Sequence, residues 1–312
     1  MTRIGTSDLD VFPLNLGGNT FGWTSSPEES HAVLDVFAAG GGNFVDTADG
    51  YSSWVPGNTG GESETIIGQW MTARGNRDGI VVGTKVSQHP DYKGLSAANV
   101  AAAADASLAR LNTDRIDLYY AHFDDESVPL EETAGAFNEL VVAGKVRAIG
   151  ISNYTAARVQ EWFAIAQREG FALPEALQPH YNLVHREPYE SELAPVVAAH
   201  GLGVMPYFSL ASGFLTGMYR AAADLEGSAR AGGAGQYLDA RGFAVIAQLE
   251  SIAGERGISI PTAALAWLRA RPGIVAPVAS ARTASQVGDL LAAASVELTA
   301  EEVALLDSAS AV

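Results

Sequence analysis

One pattern recurs along this chain from end to end. A short run of β-branched and aromatic residues is followed by a longer segment with apolar residues at helical spacing. "VFPLNLG" precedes "PEESHAVLDVFAAG", "NFVDTA" precedes "ESETIIGQWMTARG", and "GIVVGTKV" precedes "SAANVAAAADASLARL". "RIDLYYAH" leads to "LEETAGAFNELVVAG", "VRAIGIS" to "TAARVQEWFAIAQREG", and "ALQPHYN" to "YESELAPVVAAHG". "GVMPYFS" leads, after a long loop, to "ARGFAVIAQLESIAGERG", and "IVAPVAS" to "TASQVGDLLAAA". Eight such units with no dividing linker predict a single (β/α)8 TIM barrel domain over residues 1–312. A doubly wound sheet is the competitor. It needs a glycine fingerprint after its first strand, and "LGGNTFGW" is not G-x-G-x-x-G.

Smaller signals fill in this frame. "RIGTSDLDVF" predicts an N-terminal β-hairpin that plugs the bottom of the barrel. The stretch from Leu210 to Asp239, after strand seven, predicts a long loop rich in Gly, Ala and Ser, and loops of that length inside a compact domain are functional or disordered. Ser96, Thr155, Thr283 and Thr299 are expected to cap helix starts, and Gly40, Gly144, Gly170 and Gly257 to end helices.

Charge and composition narrow the function classes. The net charge is −17, which argues against a general binder of nucleic acid or anionic membrane but leaves room for a local pocket for one small anion. With no cysteine, disulfides, thiolate nucleophiles and Cys-based metal sites are excluded. The remaining histidines, His31, His89, His180, His185 and His200, show no ligand spacing, so no metal is expected. The N-terminus has no apolar h-region and no run reaches the length of a membrane span, so a cytoplasmic protein is the expectation.

In a (β/α)8 barrel the active site lies at the C-terminal ends of the strands. The polar residues expected there are Asp46 and Tyr51 from "FVDTADGY", Lys85 from "VVGTKV", His122 from "LYYAH", Ser152 and Asn153 from "GISN", and Gln178 from "ALQ". These types have a joint use. A phenol is a poor acid at neutral pH, and a nearby ammonium is expected to lower its pKa. A carboxylate beside the lysine keeps the lysine charged and in place. An imidazole can orient a carbonyl oxygen. Together they would donate a proton to a carbonyl. A reduction also needs a hydride, which no side chain supplies, so a cofactor is implied.

These segments, in this order, resemble the aldo-keto reductase family. "FVDTADGYSS…GESETIIGQWM", "VVGTKV", "RIDLYYAHFDDESVPLEET", "GKVRAIGISNYTAARVQ", "LQPHYNLVHR" and "VMPYFSLASGFLTG" carry the resemblance over nearly the whole chain. It implies Tyr51 as general acid, supported by Lys85 and Asp46, with His122 orienting the carbonyl. It implies NADPH/NADP+ as the cofactor. Ser152, Asn153 and Gln178 would hold its carboxamide, and Tyr207 would stack on the nicotinamide. Ser209, Leu210, Gly213, Leu215 and Gly217 would wrap the pyrophosphate. Ser280, Arg282 and Gln286 would hold the adenosine 2′-phosphate end. Trp23, Trp54 and Phe123 are read as walls of the substrate pocket. Met218 stands where the family often has lysine, and Leu290 where it often has asparagine. Two other readings remain open: a Schiff-base barrel with Lys85 as nucleophile, and a coenzyme-binding regulatory subunit with little turnover.

Overall fold

The computed structural model describes residues 1–311. Eight parallel strands form one sheet: β1 (Asn15–Gly17), β2 (Phe44–Asp46), β3 (Val81–Val86), β4 (Ile116–Ala121), β5 (Val146–Ser152), β6 (Pro174–Gln178), β7 (Gly203–Val204) and β8 (Val278–Ala279). Sequence neighbours pair from β1 through β7, and β8 pairs with β1. The last gap is closed by a parallel bridge from Val204 to Ile274, so the sheet curls into a (β/α)8 barrel. Pro206 and Pro277 have no N–H to give to this seam. The strand-like runs around them therefore shrink to two ladder residues each.

Period-two alternation decides what faces the barrel axis. Phe44, Val81, Leu118, Tyr120, Ala148, Ala176 and Met205 form one buried cluster. Ile4, Leu9 and Val11 of the N-terminal hairpin belong to the same cluster, which shows the hairpin plugging the barrel bottom. Two residues further along the same strands come polar groups: Asp46 after Phe44, His122 after Tyr120, and Gln178 after Ala176. The interior is thus apolar below and polar at the mouth. Tyr120 pairs with Gly150, and its ring fills the space that any Cβ at Gly150 would need.

Several local expectations change. Ser96 and Thr155 cap their helices by accepting the N–H of Asn99 and Arg158, and Thr299 forms a capping box with Glu302. Thr283 does not cap: residues Ala284–Gln286 form a 3-10 turn, and the Gln286 side chain instead accepts the Arg282 N–H at 2.8 Å. Gly144, Gly170 and Gly257 take left-handed conformations, whereas Gly40 has φ −81° and Gly41 makes the turn at φ +87°. The β7–β8 connection holds two long helices, Ala240–Arg256 and Ile260–Arg269. The second starts at Ser259, which accepts from Thr262 N–H, with proline in the first turn, a start signal present in "ISIPTAAL". The loop from Leu210 to Asp239 contains three short helical turns, Ala211–Thr216, Ala222–Leu225 and Ala231–Gly235.

Asp117 on β4 is a buried tie on the barrel wall. It accepts Val82 N–H at 2.9 Å and pairs with Arg77 at 2.8 Å and Arg147 at 2.9 Å. Asp117→Ala would strand a backbone donor and remove the counter-charge of two arginines. Both arginines reach solvent, so the loss should sit near the low end for broken buried pairs, about 3 kcal/mol, read from urea unfolding.

Candidate active site at the barrel mouth

The mouth opens into a cleft of about 1110 Å³. Its walls include Asp46, Tyr51, His122, Ser152, Asn153, Gln178, Tyr207, Ser209, Leu210 and Gly213. Ser280, Arg282 and Gln286 line it further along, and Trp23, Trp54 and Phe123 also face it. Lys85 lies behind Tyr51 and is fully buried. Leu215 and Gly217 are off the wall: Leu215 is buried in the core, and Gly217 turns the chain at φ +78° against Ile260.

At the centre is a chain of short contacts. Lys85 Nζ donates to Asp46 Oδ2 at 2.6 Å, to the Thr47 carbonyl at 2.7 Å and to the Tyr51 hydroxyl at 3.0 Å. All three donors of the ammonium are therefore used. Gln178 Nε2 donates to Asp46 Oδ1 at 2.8 Å, so both carboxylate oxygens are held. The Tyr51 hydroxyl sits 3.4 Å from Asp46 Oδ2. That bond is long, and the phenolic proton is easily redirected to an oxygen in the cleft. The His122 ring lies 6.2 Å from the Tyr51 ring, centroid to centroid. Its Nδ1 is buried without a partner, which leaves Nε2 as the nitrogen available to a ligand.

The electrostatics differ from the expectation in one respect. Desolvation raises the Tyr51 pKa above the ordinary phenol value, and Lys85 only partly opposes it, because Asp46 neutralises the ammonium and itself adds to the rise. Tyr51 is thus protonated at neutral pH. Burial works against the Lys85 ammonium, but Asp46 and Tyr51 outweigh it and hold Lys85 above its usual pKa. Burial first, and the Lys85 charge second, push His122 well below the usual imidazole range, so it is neutral.

Hydrogen bonds tie the cofactor candidates together. Ser152 Oγ donates to the Gln178 carbonyl at 2.8 Å. Asn153, at φ +57°, donates to the His122 carbonyl at 2.8 Å and accepts from the Tyr207 hydroxyl at 2.7 Å. Ser280 Oγ donates to Asn19 Oδ1 at 2.6 Å.

Two features were missed in the sequence. Arg230, from the loop after β7, lines the cleft with Arg282. Burial and the nearby Arg282 charge lower its pKa. Neither guanidinium makes an ion pair or a side-chain hydrogen bond among the described residues, so two unpaired cations face one cleft of a strongly acidic chain. "GSARAGG" gave no sign of this, because only the fold of the loop brings Arg230 back over the mouth. The second is Asp49, two residues before Tyr51. Its carboxyl is fully buried and neither oxygen has a hydrogen-bond partner. Arg110 is already committed to the buried Glu64, at 2.6 Å.

The residues present fit a phosphate-bearing dinucleotide. Unpaired arginines suit a phosphate, the cleft joins them to the Tyr51 hydroxyl, and Gly213 at φ +94° lets backbone line the wall between them. The Aldo/keto reductase family model matches residues 13–311. The chain belongs to the aldo/keto reductase family. That family comprises oxidoreductases. The chain is similar to a probable voltage-gated potassium channel subunit beta of Oryza sativa subsp. japonica, 32% identical, with 91% of this chain and 88% of that protein covered. It is similar to norsolorinic acid reductase B of Dothistroma septosporum, 32% identical over 97% of this chain and 79% of the relative. It is also similar to Protein tas of Escherichia coli, 30% identical over 98% and 96% of the two chains. Among the described residues, no helix is long and apolar enough to cross a membrane, and no group of His, Asp and Glu could hold a metal ion.

Asp49 gives a pH test. Burial, then Glu64, raises its pKa from 3.8 to about 7. The folded protein therefore holds this proton more tightly than the unfolded chain does. The stability associated with the protonated form is complete below pH 3.8 and is lost as pH rises through about 7. Asp49→Asn should flatten the fall between about pH 4 and 7 relative to wild type. The full loss approaches about 4 kcal/mol at 1.36 kcal/mol per pKa unit, read as urea unfolding free energies at each pH.

Proposed function

We propose that this chain is an NADPH-dependent reductase of aldehydes or ketones, acting on a small carbonyl substrate in the cytoplasm as a single barrel domain. The observation that carries this reading is the Asp46–Lys85–Tyr51 chain, with contacts of 2.6 and 3.0 Å, opening into the same cleft as Arg230 and Arg282.

Tyr51 is the general acid. Its hydroxyl gives its proton to the carbonyl oxygen as negative charge develops there, and Lys85 stabilises the phenolate left behind. Asp46 holds Lys85 in place and charged. His122, neutral, donates through Nε2 to the same oxygen and fixes its direction. The bound nicotinamide cofactor would supply the hydride. Ser152, Asn153 and Gln178 would hold the carboxamide, and Gln178 Oε1 is the acceptor left over once Nε2 has bonded Asp46. Tyr207 would give the nicotinamide a flat face, tethered through Asn153. Ser209, Leu210 and Gly213 would line the pyrophosphate, with Leu215 and Gly217 shaping that turn from beneath. Arg282, joined by Arg230 and Ser280, would meet the 2′-phosphate, while Gln286 holds the Arg282 backbone.

The likeness to proteins named as potassium channel subunits favours a second reading, a coenzyme-binding interaction subunit. It requires coenzyme binding without turnover of any carbonyl. The Schiff-base reading is disfavoured by the use of every Lys85 donor.

Tyr51→Phe should leave coenzyme binding intact and lower the single-turnover rate of carbonyl reduction about 10²–10⁴-fold. A loss under tenfold would remove Tyr51 from the role, and no turnover in wild type with tight coenzyme binding would favour the subunit reading. Arg282→Ala and Arg230→Ala should each weaken NADPH by roughly 10- to 150-fold, the value of one charged hydrogen bond. NADH should barely change in a fluorescence titration.

A further inference from the structure

His180 and His185 have no part in the proton-transfer chain, and their spacing in "HYNLVH" matches no metal site. The fold brings them together for another use. Asn182 makes the turn between them: its N–H donates to the His185 carbonyl at 3.1 Å, and its carbonyl accepts the His185 N–H at 3.0 Å. Its side chain accepts the Val184 N–H at 2.9 Å. Leu183 and Val184 are buried, and Arg241 donates to the Val184 carbonyl at 2.9 Å, so the turn is held against the body. The His185 ring consequently lies flat on the His180 ring, with centroids 3.6 Å and planes 10° apart. Burial, then His185, lowers the His180 pKa to about 4, and burial, then Arg241, holds His185 below the usual imidazole range. Both rings are neutral at neutral pH, so their close approach carries no charge repulsion.

The stack continues toward the cleft. His180 lies over Tyr207 as an offset pair, with centroids 5.3 Å and planes 24° apart. The Tyr207 N–H donates to the Pro179 carbonyl at 2.9 Å, and the Asn182 side chain donates to the Phe208 carbonyl at 2.9 Å. The turn is thus tied to the residues on either side of the Tyr207 peptide. Phe208 stands edge-on to His180 at 5.2 Å and to Tyr207 at 5.1 Å. These contacts differ in what they fix. The Asn153 bond at 2.7 Å holds the tip of the phenol, and the backbone bond holds its root. A tyrosine ring still turns about the axis joining those two points, because its second side-chain torsion is soft. A flat neighbour on one face opposes that turn, and His180 is that neighbour.

We propose that His180, backed by His185, is a positioning residue for the coenzyme: it fixes the tilt of the Tyr207 ring and so the face that Tyr207 offers to the nicotinamide. This rests on the coenzyme of the reductase reading. The approach of His180 Nε2 to Asn182 Nδ2, 3.4 Å, is at the long limit of a hydrogen bond, so the flat ring and not its proton carries the role.

Two ligands separate this role from general packing. NADP+ carries the nicotinamide, and adenosine 2′,5′-bisphosphate carries the adenosine end without it. In calorimetric titrations His180→Ala should weaken NADP+ by roughly two- to tenfold, the value of one aromatic pair, and leave the bisphosphate unchanged. His180→Phe, which keeps a flat ring, should restore NADP+ to within about twofold of wild type. His185→Ala should show the same selectivity at smaller size, and it decides the matter if His180→Ala does not fold. Equal weakening of both ligands in the alanine variants, wild-type NADP+ affinity in them, or failure of His180→Phe to restore it would each overturn the proposal. Absence of NADP+ binding by the wild type would overturn it together with the coenzyme reading. The selective pattern without turnover of any carbonyl sinks the reductase reading and keeps the positioning role. Carbonyl turnover with unselective alanine variants sinks the positioning role alone.

Discussion

The buried pair of Lys85 and Asp46 is the constraint around which this molecule is arranged. Two opposite charges, both out of contact with solvent, sit 2.6 Å apart at the top of a barrel whose lower half is apolar. Desolvating such a pair costs several kcal/mol per ion, and attraction repays it only when the remaining donors and acceptors are also met. Here they are met by the Thr47 carbonyl, the Tyr51 hydroxyl and the Gln178 amide. Thr47 and Tyr51 come from the loop after β2, and Gln178 from β6. The ion pair therefore requires the closed sheet, and the register of β2, β3 and β6 is what sets its distances. Burial raises the Tyr51 pKa, and because the ammonium beside it is already balanced by Asp46 the rise is only partly opposed.

Much of this was legible in the sequence, for a physical reason. Strand residues two apart share a face, so an acid, a lysine, a histidine and a glutamine at the ends of successive strands must converge if the strands close a barrel. The eight-fold alternation supplied the closure. The direction of the Tyr51 shift was misread because charge type is visible in a sequence and charge balance is not. The seam strands were read too long, since Pro206 and Pro277 sit in runs that are otherwise good strand formers. Thr283 looked like a helix cap, but Gln286 reaches back to the Arg282 amide and selects a tighter turn. Arg230 was invisible because its role depends on how a loop of some thirty residues folds back. Asp49 looked like an ordinary polar loop residue, and only the packing of Glu64 and Arg110 beneath it shows it enclosed.

The cleft divides by chemistry along its length. At the Tyr51 end, Asp46, Lys85, Gln178 and Asn153 are tied to one another or to backbone, and Trp23, Trp54 and Phe123 supply aromatic surface. At the far end, the guanidinium groups are unpaired in a protein that carries −17 overall. A general field of that sign repels a polyanion, so affinity for one must come from local geometry. Covering Arg230 with a folded loop lowers the local dielectric and strengthens the attraction of each cation for a phosphate.

The proline-interrupted seam has a mechanical consequence. β3, β4, β5 and β6 run five to seven residues, whereas β7 and β8 contribute two each. Free energy of local opening falls where ladder bonds are fewest. The barrel is therefore stiff across the arc that fixes Lys85, His122 and Gln178, and compliant across the arc from which the Arg230 loop and the Arg282 turn depart. Flexing of the compliant arc leaves in place the longer strands that hold Lys85, His122 and Gln178. The barrel then behaves as a rigid frame with a sprung side.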